Sequence, residues 1–306
     1  MLSAIKTAIF GGNQNQQCAG TCSACDPALL ARCQPAEPGS VGPHSHHVLV
    51  RLPQIADAAK EVEQNGAWWP ESVDKEPAIA AVSAAVKAQQ ERLGGKVKVT
   101  AFDDVAVPQQ QQPGSPPLYE ALVFPAGLRL SGVPLEGLGE AVVGALTGGA
   151  AGAQAAWLQQ RVEGLTLLVC THGKRDSRCG VLGTQLAHRL VALLEAKGLS
   201  QEVRVLKTSH IGGHVVSGSL LPQYAGNVLV YGGASPCNGD WFGGVNADNA
   251  EEFLQALLET KVEGSADPNL RRLWRGRVGL SKDEQKALFE ANVNKLRDIE
   301  DLKAAA

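Results

Sequence analysis

Two short apolar runs, each followed by a loop that carries Cys or His, constrain this chain most. The run at residues 165–169 (LTLLV) leads directly into Cys170, and the run at 203–206 (VRVL) is followed by His210 and His214. Short apolar runs bounded by loops predict buried strands. Open α/β sheets usually place their sites at the carboxyl ends of such strands, so we expect both loops to contribute to one site.

A helix is predicted between these two strands. After Cys179, leucines recur at a spacing of four residues, which places them on one face of a helix that ends at Gly198. The resulting order of strand, helix and strand is typical of an α/β fold. The leucines concerned are Leu182, Leu186, Leu190 and Leu194.

The two loops carry enough donors for a closed four-ligand metal site. Cys170 and Cys179 supply two thiolates, and His210 and His214 supply two imidazoles. A single Cys is usually a small buried hydrophobe and a single His is usually a hydrogen-bonded residue, so the prediction depends on the group. Two glycines between the histidines disfavour a helix there and favour a tight loop around one ion.

Spacing excludes two familiar zinc motifs and leaves the metal open. Eight residues separate the cysteines, whereas zinc fingers use two to four. Ile211 stands where a helical zinc protease would have its catalytic Glu. The residues alone are compatible with a structural zinc or with a [2Fe–2S] cluster that has His on one iron.

Composition narrows the classes of partner. The chain has 306 residues, and 28 basic residues nearly balance 31 acidic ones. This balance predicts no nucleic-acid or membrane partner, and no apolar run reaches the roughly 20 residues that span a bilayer. The odd number of cysteines, seven, favours thiol or metal chemistry over a disulfide framework. The first 17 residues lack the pattern of a secretory signal.

The chain length and element order predict two α/β domains and a tail. Both halves show a similar order of strands and helices, which suggests a duplication. Ser281 and Glu284 form a capping box that predicts a helical tail. We divide the chain into a Cys/Gly/Pro-rich segment (1–43), a first α/β domain (44–135), an Ala/Gly-rich connector (136–161), a second domain (162–262) and a helical tail (263–306).

Several motifs resemble those of the sucrase/ferredoxin-like family, also called thioredoxin-like ferredoxins. They are CTHGKRDSRCG, SHIGGH followed by YAGNVLVY, DWFGGV and LWRGRVGLSKDEQ, and the resemblance covers residues 162 to about 285. The sequence departs from the family after His214, where Val215 and Val216 replace a basic-aromatic pair. Phe242 also stands where relatives usually have Tyr. These departures concern the shielding of a cofactor rather than its ligands.

The resemblance implies a fold, a cofactor and a function. The expected fold is two thioredoxin-like domains, the first degenerate and the second cluster-binding, with a C-terminal helical tail. The expected cofactor is a [2Fe–2S] cluster, with Zn as the alternative, held by Cys170, Cys179, His210 and His214. The expected function is one-electron transfer coupled to protons rather than an enzymatic reaction.

Three further residues are predicted around this centre, and two other functions stay open. His172 lies beside the ligands, and Arg175 and Arg178 donate to the cluster or simply form a solvated basic loop. A zinc-stabilised scaffold with the same ligands is one alternative function. A thiol–disulfide oxidoreductase is the other, although Cys170 and Cys179 are too far apart for a Cys-x-x-Cys pair.

The other cysteines have weaker interpretations. Cys18, Cys22 and Cys25 have the spacing of a [4Fe–4S] triad, but no repeating barrel pattern follows them. A second metal site completed by Cys33 or a nearby histidine is an alternative, and free thiols are favoured. Cys237 is expected to be a bystander.

The expected partners and location follow from the same interpretation. An electron carrier requires redox protein partners, whose identity the residues do not specify, and the oligomeric state is equally unspecified. The location is expected to be intracellular, with the cytoplasm favoured over a mitochondrion or plastid.

Overall fold

A computed structural model describes residues 37–52, 69–104, 116–149, 157–213 and 224–304, with side chains up to residue 295. Predictions that fall elsewhere lie outside the described residues. They concern His214, the four cysteines at positions 18, 22, 25 and 33, and most of the segment at 1–43.

Ten strands form one mixed sheet in the described part of the chain. Their spatial order is β10-β9-β8-β6-β7-β2-β1-β3-β4-β5. The strands are β1 (His46–Arg51), β2 (Val97–Asp104), β3 (Leu118–Phe124), β4 (Leu128–Pro134), β5 (Leu158–Arg161), β6 (Leu165–Cys170), β7 (Val203–Thr208), β8 (Val228–Tyr231), β9 (Asp240–Phe242) and β10 (Trp274–Arg277).

Six α-helices accompany the sheet among the described residues. They are α1 (Pro77–Ala88), α2 (Gln90–Leu93), α3 (Leu135–Leu146), α4 (Thr184–Lys197), α5 (Ala250–Glu259) and α6 (Lys282–Ala304). A 3-10 turn at Val73–Lys75 precedes α1, and a π-helical turn at Cys179–Gly183 leads into α4.

The sheet is continuous across the two halves of the sequence. Parallel pairs β1–β2 and β6–β7 lie at its centre, and β2 meets β7 in antiparallel register with Asp103 opposite Lys207. This pair is buried and makes an ion pair of 3.4 Å, and Arg51 lies 3.5 Å from the same carboxylate. The opposite charges offset part of the cost of burying each group at this junction.

Alternation along the strands produces three hydrophobic clusters. Val48 and Val50 pack in a cluster with α1 and α3, whereas Leu167 and Val169 pack in a second cluster with α4 and α5. Leu49 belongs to a third cluster that draws on strands of both halves. Because strand residues point alternately to opposite faces, this third cluster occupies the face opposite the helices.

Several predicted elements are confirmed. The strands at the start of the chain and before the ligand loops are present, and α4 ends at Gly198, whose φ of 68° suits a glycine C-cap. The capping box is also present: Ser281 N donates to Glu284 Oε2 at 2.7 Å, and Glu284 N donates to Ser281 Oγ at 3.3 Å. The predicted helical connector corresponds in part to α3.

The mixed α/β class is therefore confirmed, with a large sheet and six helices. The finer prediction of two separate thioredoxin-like domains is not confirmed, since the halves share one sheet and one of its hydrophobic clusters. The domain boundaries at 43, 135, 161 and 262 stay predictions.

Candidate metal centre

The structure brings the two predicted cysteine ligands together. Cys170 is the last residue of β6, and Cys179 opens the π-helical turn that precedes α4. Both side chains are fully buried, and the two thiols are joined by a hydrogen bond. This hydrogen bond, followed by burial, raises the pKa of the Cys179 thiol well above its usual value. The role of both cysteines as metal ligands stays a prediction.

Backbone groups surround both sulfurs. Gly226 N lies 3.5 Å from Cys179 Sγ and donates to it, and Cys170 Sγ lies 3.9 Å from the carbonyl oxygen of Ser209. An amide that donates to sulfur stabilises the thiolate form, because hydrogen bonds to a charged group favour that charge. The pocket therefore has one feature that a thiolate ligand requires.

The predicted histidine ligands are only partly placed. His210 follows β7 by two residues and lines a surface groove of about 320 Å³, while His214 lies outside the described residues. The groove also contains His172, Arg175, Glu71 and Asp74 among its lining residues. The thiol pair is thus buried, whereas His210 lies at an open groove.

Both ring nitrogens of His172 make hydrogen bonds. Its Nε2 lies 2.9 Å from Pro70 O, and its Nδ1 accepts a hydrogen bond of 3.0 Å from the backbone N–H of His210. Since a carbonyl only accepts, Nε2 carries the proton and Nδ1 is the acceptor. Burial lowers the pKa of His172 to about 4, which agrees with this neutral form. His172 therefore supports the His210 loop rather than presenting a nitrogen to a metal.

The two predicted arginines behave differently. Arg178 makes two hydrogen bonds to Asp176, from Nε to Oδ1 at 2.9 Å and from Nη2 to Oδ2 at 2.6 Å. Its guanidinium therefore binds a carboxylate within its own loop. Arg175 lines the groove beside His210. The suggestion of a cluster-facing cation in this loop is thus weakened for Arg178 and stays a prediction for Arg175.

Sequence reasoning missed three residues that contact the loop at His210. Lys98 in β2, Asn227 just before β8 and Arg275 in β10 all reach residues 211–213 or one another. Arg275 lies within LWRGRVGLSKDEQ, so a sequence signal for it existed. Asn227 lies within YAGNVLVY and carried the same kind of signal. Lys98 carried none, because its proximity to the loop depends on the order of strands in the sheet.

The residues present fit part of the expected metal centre. Two adjacent buried thiols with an amide donor suit a soft metal such as zinc or iron. The described part of the chain contains no group of three or more His, Cys, Asp or Glu side chains placed to hold a metal ion. The thiol half of the predicted ligand set is assembled there, and the imidazole half is not.

The motifs, the mixed sheet and the thiol pair define an α/β protein with a paired-cysteine site at the end of a central strand. The family model described as sucrase/ferredoxin-like matches residues 38–276, which is more than half of the chain. The chain belongs to the sucrase/ferredoxin-like family. The predicted resemblance is therefore confirmed.

Several curated relatives come from fungi and have the name "Altered inheritance of mitochondria protein 32". The Candida glabrata protein is 36% identical over 99 residues, covering 30% of this chain and 28% of that protein. The Meyerozyma guilliermondii protein is 31% identical over 107 residues, covering 34% and 32%. The matched region thus spans about a third of the length of these relatives.

Among solved structures, a thioredoxin-like [2Fe–2S] ferredoxin from Aquifex aeolicus is similar over 38% of this chain and 94% of its own. Its identity is 16% and the TM-score is 0.25, values at which the likeness supports no functional argument. The fold class stated above depends on the observed strands and helices alone.

These findings correct the predicted function. An electron-transfer protein with a [2Fe–2S] cluster was expected, yet the relatives are named for mitochondrial inheritance. The described residues also hold no complete metal-binding group. The prediction of an electron carrier is therefore wrong, and the same name gives no support to a zinc scaffold or to a thiol–disulfide oxidoreductase.

Within the described ranges, no helix has both the length and the apolar character needed to cross a bilayer.

Proposed function

We propose that this protein acts in the maintenance or inheritance of mitochondria and that its paired thiols hold a metal cofactor. The fungal relatives' name supports the first part, and a mitochondrial location is proposed with it. The observation that carries the second part is the fully buried, hydrogen-bonded pair of Cys170 and Cys179 at the end of β6.

The proposed cofactor is a [2Fe–2S] cluster, with Zn as the alternative. Cys170, Cys179, His210 and His214 would be its ligands. When bound, such a group would link the loop after β6 to the loop after β7. Its binding free energy would stabilise the folded state. The chain's own residues hold the two sulfurs side by side, keep water from them and expose the His210 side to the groove.

The finer fold prediction belongs with this proposal. The parallel pair β1–β2 with α1 and the parallel pair β6–β7 with α4 supply one strand–helix–strand unit in each half. We propose that these units are the two thioredoxin-like halves, joined at β2 and β7.

One preparation tests both parts of the proposal. The full chain is expressed in a yeast and followed by cell fractionation, and the purified protein is assayed for iron, acid-labile sulfide and zinc. We expect the chain in the mitochondrial fraction with stoichiometric metal, because buried thiols in pairs bind soft metals tightly. Metal-free protein outside mitochondria would contradict the proposal.

A further inference from the structure

Side chains from three separate parts of the fold contact the loop at residues 210–213, and a fourth, Arg275, fixes one of them. We infer that His172, Lys98, Asn227 and Arg275, here called the loop clamp, are positioning residues for His210, the candidate metal ligand on this loop. This inference rests on the proposed function, since it concerns the same site. None of the four residues supplies a ligand in the set proposed above.

The first contact fixes the beginning of the loop. His172 Nδ1 accepts from His210 N at 3.0 Å, and its other nitrogen is held by Pro70 O. The neighbouring Thr171 Oγ1 accepts a hydrogen bond of 3.0 Å from Trp69 Nε1. The loop before α1 thus supports His172, and His172 supports the backbone of His210.

Lys98 makes the second contact. Its Nζ donates to the carbonyl oxygen of Ile211 at 2.6 Å and lies 5.9 Å from the centre of the Trp241 ring. Burial lowers the pKa of Lys98 to about 8, and Cys170 opposes that shift. A charged donor gives a stronger hydrogen bond than a neutral one. We therefore expect the hydrogen bond from Lys98 to stabilise the loop more than any other single contact.

Asn227 links the loop to the strand of the first thiol. Its Nδ2 donates to Gly212 O at 3.4 Å, and its backbone carbonyl accepts from Cys170 N at 3.0 Å. Arg275 Nη1 donates to Asn227 Oδ1 at 2.8 Å and so fixes the orientation of this amide. One residue therefore sets the spacing between Cys170 and the turn at Gly212.

Arg275 is itself held firmly. Its Nε and Nη2 donate to Ser40 Oγ at 3.0 and 2.9 Å, and its guanidinium lies 3.8 Å from the centre of the Tyr224 ring. Its side chain is fully buried, and burial lowers its pKa to about 10. A buried guanidinium with several fixed neighbours is a rigid support for Asn227.

The turn favours glycine where Arg275 approaches. Gly212 and Gly213 have φ values of 83° and 72°, a region that other residues rarely adopt. A Cβ on Gly213 would lie 3.3 Å from Arg275 Nη1 and 3.6 Å from the Trp241 ring. The double glycine therefore lets the loop pass close to the clamp.

Successive residues of the loop are thus held one by one: His210 by His172, Ile211 by Lys98 and Gly212 by Asn227. All of these contacts are made by groups of the chain itself. A loop ordered by such contacts lowers the entropy that metal binding must otherwise overcome, so the clamp should set affinity more than overall stability.

Lys98→Met tests the clamp in the full chain, because methionine keeps much of the apolar stem and removes the donor. We expect amide exchange at residues 211–213 to rise about tenfold. Zn²⁺ affinity, measured by chelator competition, should fall about 10- to 100-fold, as for other residues that support metal ligands. The thermal midpoint should fall by no more than about 4 °C.

Two matched variants complete the test. Lys98→Arg keeps a cationic donor and should restore affinity and slow exchange, and Lys96→Met removes an exposed lysine two residues away and should behave as wild type. Unchanged exchange in Lys98→Met, or raised exchange with unchanged Zn²⁺ affinity, would overturn the inference. A wild type that holds neither Zn²⁺ nor iron with acid-labile sulfide, while exchange responds as expected, would reject the proposed metal site and leave the contacts that order the loop supported.

Discussion

Gly183→Ala is expected to separate the two candidate thiols and to lower the free energy of unfolding by about 1–3 kcal/mol, as overpacking of a tight core does. Gly183 ends the π-helical turn that carries Cys179. A Cβ at this position would collide with the carbonyl oxygen of Cys170 and approach Gly226 Cα at 3.4 Å. Both neighbours are backbone atoms, so the turn must move as a whole.

Such a movement affects metal binding more than stability. Metal–ligand distances tolerate changes of about 0.2 Å, whereas relieving this collision requires a larger displacement of the Cys179 turn. We therefore expect Zn²⁺ affinity to fall at least about tenfold. Chemical denaturation and chelator competition measure the two effects on the same samples.

Gly144→Ala is the control for this substitution. Gly144 lies in α3, and a Cβ there would meet nothing within 4 Å. Alanine should leave stability unchanged or raise it slightly, because it has the higher helix propensity. Equal behaviour of the two alanine variants would contradict the close approach of the Cys179 turn to β6.

Cys170→Ser and Cys179→Ser are each expected to abolish metal binding by the full chain. Serine keeps the size of the side chain but loses the soft thiolate that zinc and iron prefer. Metal content after purification measures this loss. Cys237→Ser is the matched control, because Cys237 is also fully buried but lies in the turn before β9, where its thiol contacts Val262 O.

The Cys237→Ser control distinguishes the loss of a metal site from the general effect of losing a buried thiol. All three variants should lose some stability, since each places a hydroxyl where a thiol was buried. Only the first two should lose metal. Retention of metal by Cys170→Ser and Cys179→Ser would contradict the assignment of the thiol pair.

The sequence predicted the local elements with strong periodicity and missed those without it. The leucine spacing identified α4, and the apolar runs identified β6 and β7. β9 has three residues in a turn-rich segment, and β10 is the charged run WRGR, so neither shows an apolar alternation. Those strands form because a neighbour already provides the hydrogen-bonding edge.

The sequence predicted only the part of the candidate site whose residues lie on a single loop. Cys170 and Cys179 share one loop, so motif and spacing were sufficient to pair them. Lys98 reaches Ile211 only because β2 and β7 are neighbours, and this pairing joins strands from different halves of the chain. Long-range pairing of this kind leaves no local pattern in the residues.

The predicted function failed for a different reason. The ligand motifs describe what a site is able to bind, whereas the role of the whole protein depends on features beyond that site. The relatives' name concerns mitochondrial inheritance. A metal bound by Cys170 and Cys179 is compatible with the mitochondrial role that we propose, but the ligand set alone did not indicate that role.

X-ray absorption by the metal in the purified full chain reports which elements are bonded to that metal. If Cys170 and Cys179 bind it, we expect sulfur neighbours at about 2.3 Å, as thiolates give with zinc, in protein whose thiols Cys170 and Cys179 are intact. A bound metal surrounded by oxygen and nitrogen alone would contradict this expectation.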